Sequence, residues 1–443
     1  MRIRLSDHFT YAKLLRFVAP TIIMMVFSSI YGGGDGFFVS NHVGKIPFAA
    51  LNLVMPFMMI LGGMGFMIGT GGAALVAKEL GRGNHETANR YFSMLILFTL
   101  LFGVVLAVFG LLVMRPVSIL LGATPQMLDD CVLYGRIWVA FSPAFMLQSV
   151  FHSFLTAAEK PRLGLAFTVA AGCTNIVLDA VFIAGFGWGL AGAAVATGIG
   201  QCIGGILPLF YFSRQNSSLL RLGFTRLRAA PILAACGNGS SELMSNVSSS
   251  IVGMLYNFQL LRLFAEDGVA AYGVLMYVNF IFIAIFIGYT IGTAPIMSYH
   301  YGAENTEELK NILHKSVRLM FGLGIVLSVL AWILAEPLAA VFVGYDEGLL
   351  ALTVRAMRLF ALSFLLAGFN IFASGFFTAL NNGGVSAIIS FLRTLLFQST
   401  AIMLLPLLFG ADAVFGAVAV AEVFAFVLSS GFLLGKRKKY RYM

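Results

Sequence analysis

Four acidic residues, Asp35, Asp179, Glu242 and Glu422, each lie inside a long apolar stretch of this 443-residue chain. A carboxylate held in hydrocarbon costs several kcal/mol unless it is protonated, ion-bound or facing water, so such residues are functional candidates by default. Asn175 and Asp179 are four residues apart and share one face of a helix; Thr197 and Gln201 repeat that spacing in the next apolar segment. Asp35, Asn175, Asp179 and Thr197 together offer two carboxylates, an amide and a hydroxyl. That oxygen-rich set suits a hard monovalent cation, or a proton shared between carboxyls. The bland alternative is that polar side chains only bridge helices, as Asn and Thr often do in membranes. It is the better account of Thr197 and Gln201 taken alone and the poorer one for the two aspartates.

Asp35 follows Gly32, Gly33 and Gly34 and precedes Gly36. The acid therefore sits where the backbone most easily unwinds, and the three glycines are read as a hinge. Glu242 falls among Asn238, Ser240, Ser241, Ser245, Asn246 and Ser248. A run that polar is expected to face a wet cavity, where Glu242 attracts a cationic substrate; a solvated helix-end residue is an equal reading. Glu422 lies deeper and has no obvious sequence partner. Met24 and Met58 belong to a methionine-rich pair of segments; packing explains most of those methionines, while adaptable cavity lining is the functional alternative. Gln201 and Asn257 complete the expected cavity set. The four cysteines show no metal or redox spacing, no histidine pair forms a metal motif, and His152 is at least as well read as a packing residue.

The elements that must position these residues are membrane helices. The chain is 59% hydrophobic and 11% charged, with mean hydropathy +0.92, about half the charge of a soluble domain. Apolar segments near 14–38, 48–77, 92–114, 132–157, 163–186, 189–212, 232–264, 269–298, 316–343, 353–380, 385–409 and 413–435 meet the length needed for a span. They predict an all-α membrane protein of twelve transmembrane helices. With both termini inside, 21 of the 28 basic residues fall in inner segments, which places the termini in the cytoplasm. The net charge of +9 thus follows topology and implies no nucleic acid. The apolar run near the N-terminus is too long for a cleaved signal peptide.

The chain is also duplicated. A shift of 221 residues lays Ala49–Arg90 on Ala270–Asn311, matching Gly71 with Gly292, Gly81 with Gly302, Asn84 with Asn305 and Glu86 with Glu307. Shifts of 222 and 224 continue the match to Thr156/Thr378 and Gly192/Gly416. The expectation is an N-terminal lobe (1–212), a basic cytoplasmic linker (213–231) and a C-terminal lobe (232–443). Six helices per half make the repeats parallel: two pseudo-symmetric six-helix bundles around a central cavity. At the repeat shift Asp35 meets Asn257 and Asp179 meets Ala401, so the charge is asymmetric although the architecture is not.

These features resemble the multidrug and toxic compound extrusion (MATE) family, and within it the MepA-type bacterial branch. The residues carrying the resemblance are Pro20 and Asp35, the loop GRGNHETA at 81–88 with its echo GAENTEEL at 302–309, TNIVLDAVFI at 174–183 and GLAGAAVATGIGQ at 189–201. The resemblance covers essentially the whole chain. It implies export of cationic, lipophilic small molecules in exchange for Na⁺ or H⁺. It also implies an ion site in the N-terminal lobe formed by Asp35, Asn175, Asp179 and Thr197. Another branch uses acids of the seventh and tenth spans; here Glu242 answers to the first, but the tenth offers Asn370 and no acid, so no second ion site is expected. The remaining expectations are a monomer in the plasma (inner) membrane, with no cofactor beyond the coupling ion and no enzymatic activity. A flippase for lipid-linked sugars is the nearest rival, with a channel or a membrane-embedded enzyme behind it.

Overall fold

The computed structural model describes residues 3–32 and 34–442; Gly33 of the expected hinge lies outside them. The described residues form helices and short connections. Twelve membrane-spanning elements run in chain order: α1 (Tyr11–His42), α2 (Lys45–Gly81), α3 (His85–Leu120), α4 (Leu128–Ala140 and Ser142–Ala157, bent by 56°), α5 (Pro161–Gly185), α6 (Gly189–Ser213), α7 (240–264), α8 (266–302), α9 (Thr306–Ile333), α10 (Glu347–Ala361 and Phe364–Ala379, bent by 46°), α11 (Gly383–Phe409) and α12 (Ala411–Tyr440). The 63-residue stretch Ser240–Gly302 is two helices that fold back at Ala265 (φ 53°, ψ −141°). Tyr256 and Tyr272, on either side of that corner, stack with ring centroids 4.6 Å apart.

The ninth span differs from the sequence expectation of 316–343. The helix is Thr306–Ile333, and a separate short helix, Ala335–Val343, follows. Hydropathy excludes the first turns because they carry Glu307, Glu308, Lys310 and Lys315. The Asn305 side chain starts the helix there by accepting the Glu308 amide at 3.1 Å.

The two halves close on each other at the face that carries both termini. There the repeat-related Gly81 and Gly302 sit at the crossing of α2 and α8. A Cβ on Gly81 would lie 2.0 Å from the Tyr299 carbonyl oxygen, and one on Gly302 would lie 2.1 Å from that of Lys78. The pseudo-twofold relation therefore maps one contact onto the other. Gly71 and Gly239 repeat the close approach between α2 and the start of α7, with a Gly239 Cβ 1.9 Å from the Met67 carbonyl oxygen. Small residues let membrane helices pack backbone to backbone, where dispersion and Cα–H contacts replace the missing hydrophobic drive. The loop motifs seen as repeat echoes are thus parts of this closure.

α1 is shared between the halves. Its first turns bury Leu14, Phe17 and Val18, together with Leu5 and Phe9 just before the helix, in a core formed otherwise by C-terminal-half residues. Further along, Met24 and Met25 pack with Ala284 and Ile291 of α8. Past that point α1 leans on α5, where a Cβ on Gly172 would meet the Phe27 ring at 2.5 Å and the Tyr31 ring at 2.8 Å.

Candidate functional site

α1 breaks next to its acid. The helix Tyr11–Tyr31 ends at Gly32 and a second helix runs Gly34–His42. Asp35 sits in the first turn of that second segment. Below the break, Tyr31 is anchored by Gln148 Nε2, which donates to its hydroxyl at 3.1 Å. A Cβ on Gly34 would touch nothing closer than 4.0 Å, so packing does not demand glycine there and backbone freedom is the remaining reason for it.

α5 and α6 supply the other side chains. Gly200 permits their approach, since a Cβ there would lie 3.0 Å from the Ala171 carbonyl and 3.1 Å from Asn175 Cβ. Immediately after Asp179, α5 widens into a π-helix at Ala180–Gly185, a distortion frequent at functional sites.

These elements bring the four side chains together. Asn175 Nδ2 lies 3.1 Å from Asp35 Oδ1, 3.5 Å from Asp179 Oδ2 and 3.3 Å from Thr197 Oγ1. The Thr197 hydroxyl donates to Asp35 Oδ2. Asp35, Asn175 and Asp179 are buried. Asp179 Oδ1 has no hydrogen-bond partner among the described residues. Among the described residues no Lys, Arg or His hydrogen-bonds or ion-pairs with either carboxylate, so two acids share one amide without a protein counter-charge. A buried arrangement of that kind is stable only when a proton or a cation supplies the missing positive charge.

Sequence reasoning missed Tyr134, whose buried hydroxyl donates to Asp35 Oδ2 at 3.4 Å. It lies in α4, and its one polar neighbour at helical spacing, Asp130, says nothing of what its hydroxyl will meet across the bundle. The other missed residue is Arg393. Its side chain binds Glu422 through Nε (2.9 and 3.0 Å) and a terminal nitrogen (2.7 Å). Asn370 Nδ2 donates to the same carboxylate at 2.6 Å. Glu422, without a visible partner in the sequence, is thus neutralised inside the C-terminal half by residues 29 and 52 positions away.

The expected cavity set is dispersed. Met24 and Met58 are 1% and 4% exposed and pack in helix–helix cores, so they do not line a cavity in this conformation. Their apolar, flexible side chains fill gaps between close-packed helices instead. Gln201 is buried but forms no hydrogen bond to the four-residue cluster among the described residues. Asn257 is exposed and Glu242 is half-buried. Asn238 departs from the wet-cavity expectation: it is buried and donates to the carbonyl oxygens of Thr378 (2.9 Å) and Gly71 (3.5 Å), bridging helices. His152 packs against the Phe66 ring and meets Thr168 Oγ1 at 3.3 Å.

Comparison with known proteins follows the same architecture. The MatE family model matches the chain twice, over residues 20–181 and 243–403. The chain is 21% identical to the multidrug export protein MepA of Staphylococcus saprophyticus subsp. saprophyticus over 411 residues, covering 93% of this chain and 89% of that relative. It is 23% identical to the protein of the same name from Staphylococcus haemolyticus, with the same coverage of both chains. Among solved structures, a multidrug resistance MATE family transporter of the MOP superfamily in an outward-facing conformation superimposes with a TM-score of 0.92 at 20% identity, covering 98% of each chain.

Proposed function

Since the chain belongs to the MatE family, we propose that it is a cation-coupled antiporter that exports cationic amphipathic small molecules, and that Asp35, Asn175, Asp179 and Thr197 take up the coupling Na⁺ or H⁺. The observation that carries the reading is the pair of buried aspartates without a protein cation, one of them with an unbonded oxygen. The relatives named as multidrug exporters support the class of cargo. So does the sign of the charge, because the basic residues lie mostly in loops while uncompensated acids lie in the membrane. Carriers of pyrophosphate-linked lipids would need the reverse.

The geometry supplies a route from ion to cargo. α1 carries Asp35 on one side of its break and, on the other, turns packed into the C-terminal half. Charging or neutralising Asp35 changes what the second helix segment can hold onto in α5 and α6. The glycine break lets that segment bend, and the lower segment passes the change to the interface between halves. Alternating access then amounts to breaking and remaking the closure at Gly81 and Gly302. The protein so read sits in the plasma membrane with cytoplasmic termini and works as a carrier, not an enzyme.

The test is transport in proteoliposomes. Efflux of a fluorescent organic cation should follow an imposed Na⁺ or pH gradient, one and not the other where the ion is unique. Efflux that responds to neither gradient would refute coupling.

A further inference from the structure

The cavity between α1, α5 and α6 at the termini-bearing face is not used by the proposed transport cycle. Its volume is about 840 Å³. Its polar lining carries three cationic residues, Arg16, Lys160 and Arg162, against one acid, Glu159. The Glu159 carboxylate is engaged through Oε1, which accepts the Leu5 amide at 2.8 Å, and Lys160 Nζ meets Ser217 Oγ at 2.9 Å. Arg16 and Arg162 are exposed, and Arg162 lies in the first turn of α5, the positive end of that helix. The lining is otherwise largely apolar, with Phe17, Pro20 and Leu163. Such a charge pattern repels cationic cargo and attracts an anion.

We propose that this cavity binds the phosphate of an anionic phospholipid from the adjoining leaflet. The shared chemistry, a phosphate on two arginines, would also fit a free anion; three observations favour the lipid. The cavity has an apolar lining beside its cations. In the proposed orientation it lies at the cytoplasmic face, where anionic headgroups concentrate, and basic pockets between helices there take up such headgroups. Ile23, seven residues beyond Arg16 and so on the same face of α1, is 54% exposed and continues an apolar track for an acyl chain. The segment that leads into α1 forms part of the wall through Ile3, so a bound lipid would brace that segment, whose Leu5 is held by Glu159 and whose Phe9 is held by Glu308 of α9.

The test uses purified protein in an uncharged detergent, with binding counted by native mass spectrometry. The probes are short-chain phosphatidylglycerol, short-chain phosphatidylcholine, glycerol phosphate and inorganic phosphate. Phosphatidylglycerol should fill one saturable site that phosphatidylcholine does not. Arg16→Gln should weaken it about 5-fold, and Arg16→Gln with Arg162→Gln about 25-fold. Both side chains are exposed, and a salt titration of the unaltered protein gives a readout that no folding defect can mimic. Its affinity should fall as salt rises. Equal binding of the two lipids, salt independence, or unchanged affinity in folded variants would overturn the site. Equal binding of inorganic phosphate or glycerol phosphate in competition with the lipid would overturn the lipid assignment in favour of a soluble anion.

Discussion

Two pairs of buried charged side chains solve the same problem differently. Glu422 has Arg393 as a tethered cation, whereas Asp35 and Asp179 share only the Asn175 amide, with Thr197 and Tyr134 donating to Asp35. The first pair is self-contained and the second requires a charge from outside, which is why only the second is proposed to couple. Asp35→Asn and Asp179→Asn should each lower gradient-driven efflux by about tenfold or more, the size of a typical coupling energy, while the purified proteins remain folded; uphill export by such variants would end the coupling proposal. Arg393→Gln should behave as a stability variant. It strands Glu422, at a cost of about 3–5 kcal/mol. Arg393→Met combined with Glu422→Met should recover most of that loss in thermal unfolding. Asp35, Asn175, Asp179 and Thr197 were legible because side-chain type and i,i+4 spacing are local properties. Tyr134 and Arg393 were not, because a tyrosine in an apolar span and an arginine in a helix carry no mark of what will lie opposite them.

At the scale of elements, glycine placement decides which helices can touch. The repeat made Gly81 and Gly302 stand out in the sequence, yet their role appears only where α2 crosses α8. Gly81→Ala or Gly302→Ala should force the crossing apart at a cost of about 1–3 kcal/mol and so bias the protein away from this closed termini-bearing face. Gly273→Ala, where a Cβ meets nothing within 4 Å, should be near neutral. Accessibility of a cysteine engineered at the buried Ala74, one turn before Lys78 on α2, to a water-soluble reagent would separate the two classes; equal accessibility would count against a gating role for the crossing. Helices ran past the hydropathy windows where charged first turns extend them, at α3 (His85 against 92) and α9 (Thr306 against 316), and the expected seventh span 232–264 is broken at Gly239 into a short helix, Ala229–Asn238, and α7. The π-helix after Asp179 had no sequence signal, since any residue run tolerates one inserted carbonyl when the neighbouring helix allows it.

At the scale of the molecule, the segment before α1 straps the halves together. Leu5 is held by Glu159 of the N-terminal half. Phe9 is held by Glu308, Asn311 and Lys315 of α9. Glu308→Ala removes the acceptor for the Phe9 amide and the partner of His8 (2.6 Å). It should therefore loosen this face, read as faster hydrogen exchange across residues 5–10; unchanged exchange would mean that the strap is not held there. The proposed orientation has its own check. In a background freed of the native cysteines, an impermeant maleimide applied to intact cells should label Tyr345→Cys but not Thr225→Cys, and the reverse would invert the topology.

The sequence by itself determined the number of spans, their duplication and which polar residues were too costly to be idle, and its charge rule carries the proposed direction of the termini. Each of those follows from the local chemistry of a residue in hydrocarbon or from a repeat period, and neither needs coordinates. Tertiary structure decided the rest. It decided that Asp35 meets Asn175 and Thr197 across 140 and 162 residues of chain, and that Asp179 keeps one oxygen unpaired. It also decided that Glu422 is neutralised by Arg393, that α1 belongs to both halves, and that the methionines of the first two spans pack instead of lining a cavity. Those outcomes depend on which helix faces are pressed together, and in a membrane that choice rests on small-residue packing between distant segments, for which the linear sequence shows the glycines but not their partners.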